Sequence, residues 1–539
     1  MSIVAGVDFG TLSVRVSIVD SGTGPLGSGV AGYPMRRRKE DPGFATQRHS
    51  DHMRGCAEAF EAAFKTAGVR GGQIEAIAAA ATGSTIVPVG EGLEPLDDYY
   101  MWCDHRAWRE AALITEAARR MDLEAINWCG GIYPSEGGFS KLLHWLRNNP
   151  EKRGRLAGVL EHADMFPAVV CGIKEIERVP RSIGVLGPKW MWNADLGGFP
   201  PEDFLTAVDP LFDGVLERLR GRFSRTSEIA GRLTPKWADR FGLREGIPVS
   251  VGGLDGHWDT LGAGIQVGDI VTILGTSAPV MALAKETKPI PGACGAALGS
   301  VHPDMYGVEA GLGASGDIWE AIARRAGSTV TALSPGLESY RAGQTGLLRL
   351  TWDNGDRTVL VNSELGGITL GWNLTHTAQD ELFAAIEGAA LHTRVILERF
   401  EEHSVPVRRL ILGGRAPRKT PAINRIYANA LGKPVLTPER EATGLGAAIF
   451  AFLAAGSFKT VEEAQAAICP TYRTVHPDPS ETKIYNRLYA HYKRLYFGFG
   501  QTRAPAIAMG DVLGSLRLIA SETISRKEPS AATSSTESR

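Results

Sequence analysis

The chain has 539 residues, 43% hydrophobic and 22% charged, a globular composition too long for one core, so two large domains are expected. Its 58 Lys and Arg against 60 Asp and Glu leave a net charge of −2, which removes the electrostatic case for nucleic acid as a partner. No apolar run approaches the roughly 18 residues of a membrane helix, and no basic-flanked leader opens the chain, so a cytoplasmic protein with no membrane partner is expected.

The chain opens on "IVAGVDFGTLSVRVSIVD". An apolar strand ends on Asp8, turns at Gly10-Thr11 and resumes as a second strand through Val14, Val16 and Ile18. A carboxylate beside a glycine turn suits a loop holding a phosphate and a metal ion better than a plain core hairpin. Gly22-Gly24-Gly27 matches a dinucleotide fingerprint, but Pro25 interrupts it and no helix opens behind it. The basic run Arg36-Arg37-Arg38-Lys39 precedes Asp41-Pro42-Gly43 and reads as a solvated loop. Six scattered cysteines show no paired metal spacing and read as free thiols.

Near mid-chain the opening pattern returns. "IPVSVGGLDGHWDTLGAGI" brings a strand to Gly252-Gly253 and Asp255. "GDIVTILGTSAPVMAL" then sets Gly275-Thr276 between two apolar strands. Two Gly-Thr hairpins, each opening a large half, suggest a duplicated α/β domain with its boundary near residue 256. Two such turns facing across a cleft would grip a triphosphate, with Asp8 holding Mg²⁺. Asp255, expected at a strand's C-terminal end, is the candidate general base for a substrate hydroxyl. Asp259 reads as a solvated or capping residue and His257 as a packing or hydrogen-bonding one. Gly311-Gly313-Gly316 again matches the dinucleotide fingerprint but lies mid-chain, and G-x-x-x-x-G-K-[ST] is absent.

Further on, "TAQDELFAAIEGAALHTRVILERFEEH" has a helical apolar period, Leu410-Ile411-Leu412 a strand that runs into Gly413-Gly414, and "TPAINRIYANALG" another helix. In "KIYNRLYAHYKRLYFGF" Ile484, Leu488, Tyr492 and Leu495 share one face, the pattern of a closing helix packed on the core. Residues 506–539, ending in "SRKEPSAATSSTESR", are expected to be mostly disordered.

Taken together, "VDFGTLSVR", "GGLDGHWDTLGAG", "ILGTS", "YGVEAGLGASGD" and "LILGGRAPRKTPAINRIYANALGKPV" resemble the FGGY carbohydrate kinases, and within them the ribulokinases most. The resemblance runs to about residue 500. It implies two actin/hexokinase-like (ribonuclease H-like) domains, 1–256 and 257–505, with ATP and sugar in the cleft between them. It gives Asp8 the Mg²⁺, Gly10, Thr11, Gly275 and Thr276 the phosphates, Gly413 and Gly414 the adenosine, and Asp255 the role of base. For the sugar it points to Gly83, Lys189 and Glu309. Trp102, Asp104 and Arg106 resemble the Trp-x-Asp-x-Arg pattern of xylulose and D-ribulose kinases, which makes Asp104 and Arg106 substrate-binding candidates. The implied reaction is ATP-dependent phosphorylation of a ketopentose primary hydroxyl, ribulose to ribulose 5-phosphate. Xylulose, ribitol or erythritol as acceptor, or a non-kinase ATPase of the same fold, are the alternatives, and a homodimer is a candidate assembly.

Overall fold

The structure is a computed structural model and describes residues 2–525. Each half is built on one mixed sheet, and the two sheets repeat one order. In the first, strand Ile3–Phe9 pairs antiparallel with Ser13–Asp20, which pairs antiparallel with Gly24–Gly32. On its other side it runs parallel to Ile74–Ala81, beside which lie Pro248–Ser250 and Gly253–Leu254. In the second, Asp269–Ile273 pairs antiparallel with Ala278–Ala284, and that strand with Tyr306–Leu312. The parallel neighbours are Arg409–Gly413 and then Val435–Pro438. The duplication read from two Gly-Thr turns therefore extends to strand order and direction. The change from one sheet to the other falls between Leu254 and Asp269.

Two helices, Asp255–Gly262 and Leu445–Ala455, fill the space between the sheets. Their close approach explains the small residues on them. A Cβ on Gly446 would lie 1.8 Å from the Trp258 carbonyl oxygen, and one on Gly6 2.7 Å from Ala448 N. The rings of Trp258 and Phe450 stack at 4.1 Å between them. Val4, Ala78, Val271 and Ile411 close this shared core from the two sheets. Because the Asp255 helix starts at the end of the first sheet and packs on both, the fold places its first residue at the floor of the cleft.

The first half carries an added lobe, with a small sheet of Thr46–Gln47, Tyr99–Tyr100, Ile86–Val89 and Gly158–Glu161 and the helices Gly138–Asn148 and Ile183–Trp190. The helical patterns read from the second half appear as Ala378–Glu402, Pro421–Leu431 and Pro479–Gly500. The last of these buries Ile484, Leu488, Tyr492 and Leu495. The segment expected to be mostly disordered differs from that expectation. Val512–Ser525 forms a helix whose Val512, Leu516, Ile519 and Thr523 are buried, because these apolar positions share one helical face. Residues 526–539 of that segment lie outside the described residues. Among the described residues no helix is long and apolar enough to cross a membrane.

Candidate active site

The strand that opens the chain delivers Asp8 to the cleft, and the helix Asp255–Gly262 delivers Asp255 and Asp259 one turn apart. The three carboxylates act on one another. Burial pushes Asp8 well above the usual carboxylate range, the charges of Asp259 and Asp255 push it the same way, and Arg15 opposes them. Burial and Asp255 raise Asp259 to about 7, although its Oδ1 accepts the Gly444 N–H at 3.0 Å. Asp255 is also raised by burial, against the Gly256 N–H at 2.7 Å and the charges of His257 and Lys189. Asp259 is thus no solvated acid: it anchors the start of the Leu445–Ala455 helix while crowding the other two carboxylates. Asp8 Oδ1 is buried with no hydrogen-bond partner. An unpartnered buried acceptor among mutually repelling carboxylates has the chemistry of a cation ligand.

The two Gly-Thr turns are braced from behind. In the first, Gly10 N–H bonds Ser13 O at 3.0 Å, and the Tyr33 hydroxyl donates to Gly10 O at 2.6 Å. The Gln47 amide donates to Thr11 O at 2.8 Å, and the Trp102 indole to Thr11 Oγ1 at 3.0 Å. In the second, Gly275 N–H bonds Ser277 O at 3.1 Å, while Ser315 N–H and Gly316 N–H bond Thr276 O and Gly275 O, each at 2.9 Å. The Gly10 and Gly275 amides therefore close their own turns rather than face outward. The Gly311-Gly313-Gly316 stretch, which resembled a dinucleotide fingerprint, is the brace of the second turn.

Gly413 ends a strand beside Ile273, and Gly414 follows at φ +100°, where a Cβ would lie 2.5 Å from Leu274 O. This glycine lets the chain cross directly under the second turn. A cavity of about 450 Å³ here is lined by Asp259, Gly413, Gly414, Arg415, Lys419 and Arg440. A second, about 870 Å³, is lined by Gly275, Thr276, Asp317, Glu320, Arg415 and Lys419. The shared Arg415 and Lys419 join the two into one trough of mixed charge, where Arg418 and Arg440 stand among Asp259, Asp317, Glu320, Glu338 and Glu441.

Lys189 and Glu309, which the resemblance assigns to the sugar, meet at 3.4 Å. Glu309 Oε2 also faces His257 Nε2 at 3.2 Å, and Oε1 accepts from Arg357 at 3.2 Å. Burial alone would raise Glu309, but Lys189, His257 and Arg357 together hold it well below the usual range. Burial alone would lower Lys189, and Glu309 raises it instead. His257 is a hydrogen-bonding residue as expected, its other nitrogen 3.0 Å from Ser300 O. Arg357 escaped the sequence reading: it sits in an irregular loop with neither period nor motif to mark it. Gly83 lies against Leu254, the residue before Asp255, where a Cβ would come within 2.1 Å of Leu254 Cδ2.

The structure does not bring Asp104 and Arg106 to this cluster. They pair with each other at 2.7 Å; Asp104 also accepts the Ala45 N–H at 2.9 Å, and Arg106 packs over Phe44 and Tyr100. Arg106 lines a separate cavity of about 900 Å³ with Arg36, Arg38 and Lys152, which includes none of the cleft carboxylates.

A duplicated α/β fold with buried carboxylates, two Gly-Thr turns and a trough carrying Arg415 and Lys419 is the arrangement of a phosphoryl-transfer enzyme of the actin and hexokinase architecture. The comparisons give the family. Residues 3–172 match the N-terminal domain, and residues 270–455 the C-terminal domain, of the FGGY family of carbohydrate kinases. A ribulokinase from Geobacillus thermodenitrificans is 30% identical, over 92% of this chain and 95% of that one. A ribulokinase from Mycolicibacterium smegmatis is 31% identical, over 92% and 94%. The crystal structure of xylulose kinase from Rhodospirillum rubrum superposes with a TM-score of 0.79 at 20% identity, over 92% of this chain and 98% of that one. The chain belongs to the FGGY family of carbohydrate kinases and is an ATP-dependent sugar kinase.

Proposed function

We propose that the acceptor is a ketopentose and the reaction ribulose to ribulose 5-phosphate, with Asp255 as general base. The observation that carries this reading is the set Lys189, Glu309, His257 and Arg357 at hydrogen-bond distances beside Asp255. Glu309 can accept two sugar hydroxyls, and Lys189 can donate to the ketose carbonyl oxygen. The two curated relatives at 30% and 31% identity carry the name ribulokinase, which supports the same substrate.

Asp255 accepts the proton of the primary hydroxyl as that oxygen attacks the γ-phosphorus; the bond to the leaving ADP oxygen breaks as the new one forms. Its raised pKa keeps it a better proton acceptor than an ordinary carboxylate. The turns at Thr11 and Thr276 orient the phosphates, and Arg415 and Lys419 offset their charge in the trough that ends at Gly413-Gly414. Asp8 fits Mg²⁺ through its unpartnered Oδ1. Among the described residues no three His, Cys, Asp or Glu side chains form a metal cage. That suits Mg²⁺, which takes one or two carboxylates and completes its shell with water and substrate phosphate. When bound, it supplies charge neutralisation of the triphosphate.

The test is ADP production with ATP and Mg²⁺ across L- and D-ribulose, xylulose, ribitol, arabitol and erythritol. Ribulose is expected to give the highest kcat/KM. Turnover confined to another acceptor would keep the mechanism and overturn the substrate.

A further inference from the structure

Two charged side chains buried behind the sugar side have no part in the reaction as derived. Glu161, at 0% exposure, ends the strand Gly158–Glu161 of the added lobe. Its Oε1 accepts from Ser84 Oγ at 2.5 Å and from the Trp190 indole at 2.7 Å, and its Oε2 accepts the Thr85 N–H at 3.0 Å. Lys141, also at 0% exposure, approaches the same residue from the other side, donating to Ser84 O at 2.5 Å and Met101 O at 2.7 Å.

We infer that Glu161 and Lys141 clamp Ser84 between them and act as positioning residues for sugar binding, by fixing the Gly83–Thr85 loop relative to Lys189. The inference rests on the sugar-side reading above. Trp190 is the residue after Lys189, so one carboxylate sets the distance between the loop that packs on Leu254-Asp255 and the helix end that carries Lys189. Lys141 holds the loop's backbone to the segment just before Trp102. Three polar groups of one loop satisfied by two buried charges make a rigid joint, since any slip strands a charge without partners. Neither charge faces the reacting atoms, and a carboxylate is more costly to bury here than the glutamine that would fill the same space.

The test uses Ser84→Ala, Glu161→Gln and the double variant, assayed with whichever acceptor of the panel the native enzyme phosphorylates fastest. A substrate other than ribulose therefore overturns the substrate reading and leaves this test intact. Ser84→Ala keeps the backbone carbonyl that Lys141 holds and removes only the hydroxyl, so it is expected to fold. Loss of a hydrogen bond to a charged group should raise the sugar KM about tenfold in each single variant. The KM for ATP should stay within about twofold. The double variant should lose no more than Glu161→Gln alone, because the bond that Ser84→Ala removes is one of the three that Glu161 accepts. Equal changes in both KM values, additive losses, or a lower melting temperature with unchanged kinetics would overturn the positioning role.

Discussion

Lys189 and Glu309 meet at 3.4 Å although 120 residues separate them, Lys189 from the helix Ile183–Trp190 of the first half and Glu309 from the strand Tyr306–Leu312 of the second. The contact crosses the cleft, so the proposed sugar site is complete only when the two halves are together. Glu309 is the hub, with His257 and Arg357 on its remaining faces.

Glu309→Gln keeps the shape and removes the charge that three donors share. Lys189 then stays in the cleft without its main counter-charge. The sugar KM is expected to rise tenfold or more, by roughly the 1.5–3 kcal/mol of a lost charge-assisted hydrogen bond. The KM for ATP should not change, because neither Lys189 nor Glu309 lines the trough of Arg415 and Lys419. Initial rates with each substrate varied in turn decide it; a rise in both constants would place Glu309 in general stability rather than sugar binding.

Asp255→Asn removes the proton acceptor without changing volume. Turnover should fall about 10²–10⁴-fold, the range for loss of a general base. ADP affinity, read by calorimetry, should be kept or improved, since the substitution also relieves repulsion among Asp8, Asp255 and Asp259. Parallel loss of affinity and turnover would count against a catalytic role.

Much of this was legible in the sequence because hairpins and sheet strands leave period and punctuation. Asp8, Gly10-Thr11, Asp255, Gly275-Thr276 and Gly413-Gly414 all stand at ends of regular elements, where motif and position coincide. Arg357 stands in a loop whose course is set by tertiary contacts, and nothing local marks it. The clamp of Glu161 and Lys141 was invisible for another reason: its members lie 57 and 77 residues from Ser84, and only the folded lobe brings them together. Asp104 and Arg106 matched a motif by spacing, yet their side chains pair with each other, and Arg106 lines a different cavity. The expectation for the end of the chain rested on the polar stretch 525–539, and the composition of that stretch does not register the face that Val512, Leu516, Ile519 and Thr523 form just before it.

Asp259 carries a pH-dependent cost. Burial and Asp255 raise it to about 7, so in the folded state it holds a proton that the unfolded chain releases near the ordinary carboxylate value. A raised folded pKa favours folding below the unfolded pKa and loses that contribution as pH climbs through about 7. Asp259→Asn, which keeps an acceptor for the Gly444 N–H, should match the native melting temperature near pH 4 and exceed it at pH 8. The gain should be on the order of 1–2 kcal/mol, a few degrees. Melting curves at the two pH values in the absence of divalent cations check this; a variant less stable at pH 8 would show that the carboxylate is satisfied rather than crowded.

The helix Val512–Ser525 makes the sharpest stability test. Val512, Leu516 and Ile519 are at most 2% exposed, and Ile519 packs closely over Gly343. Thr523 Oγ1 donates to Ala342 O at 3.2 Å, and Arg494 pairs with Asp511 at 2.7 Å on the rim. Burying three aliphatic side chains contributes about 4–8 kcal/mol as an upper bound, from which the entropy of ordering the helix is subtracted. A chain ending at residue 505 should therefore melt roughly 5 °C or more below the full-length protein. A chain ending at residue 525 should melt with it. The pair separates the helix from the residues after it, and because the helix packs far from Asp255, kcat below the melting range should be the same in both. Equal melting temperatures for the two truncations would mean that the apolar face contributes nothing to the second half's core.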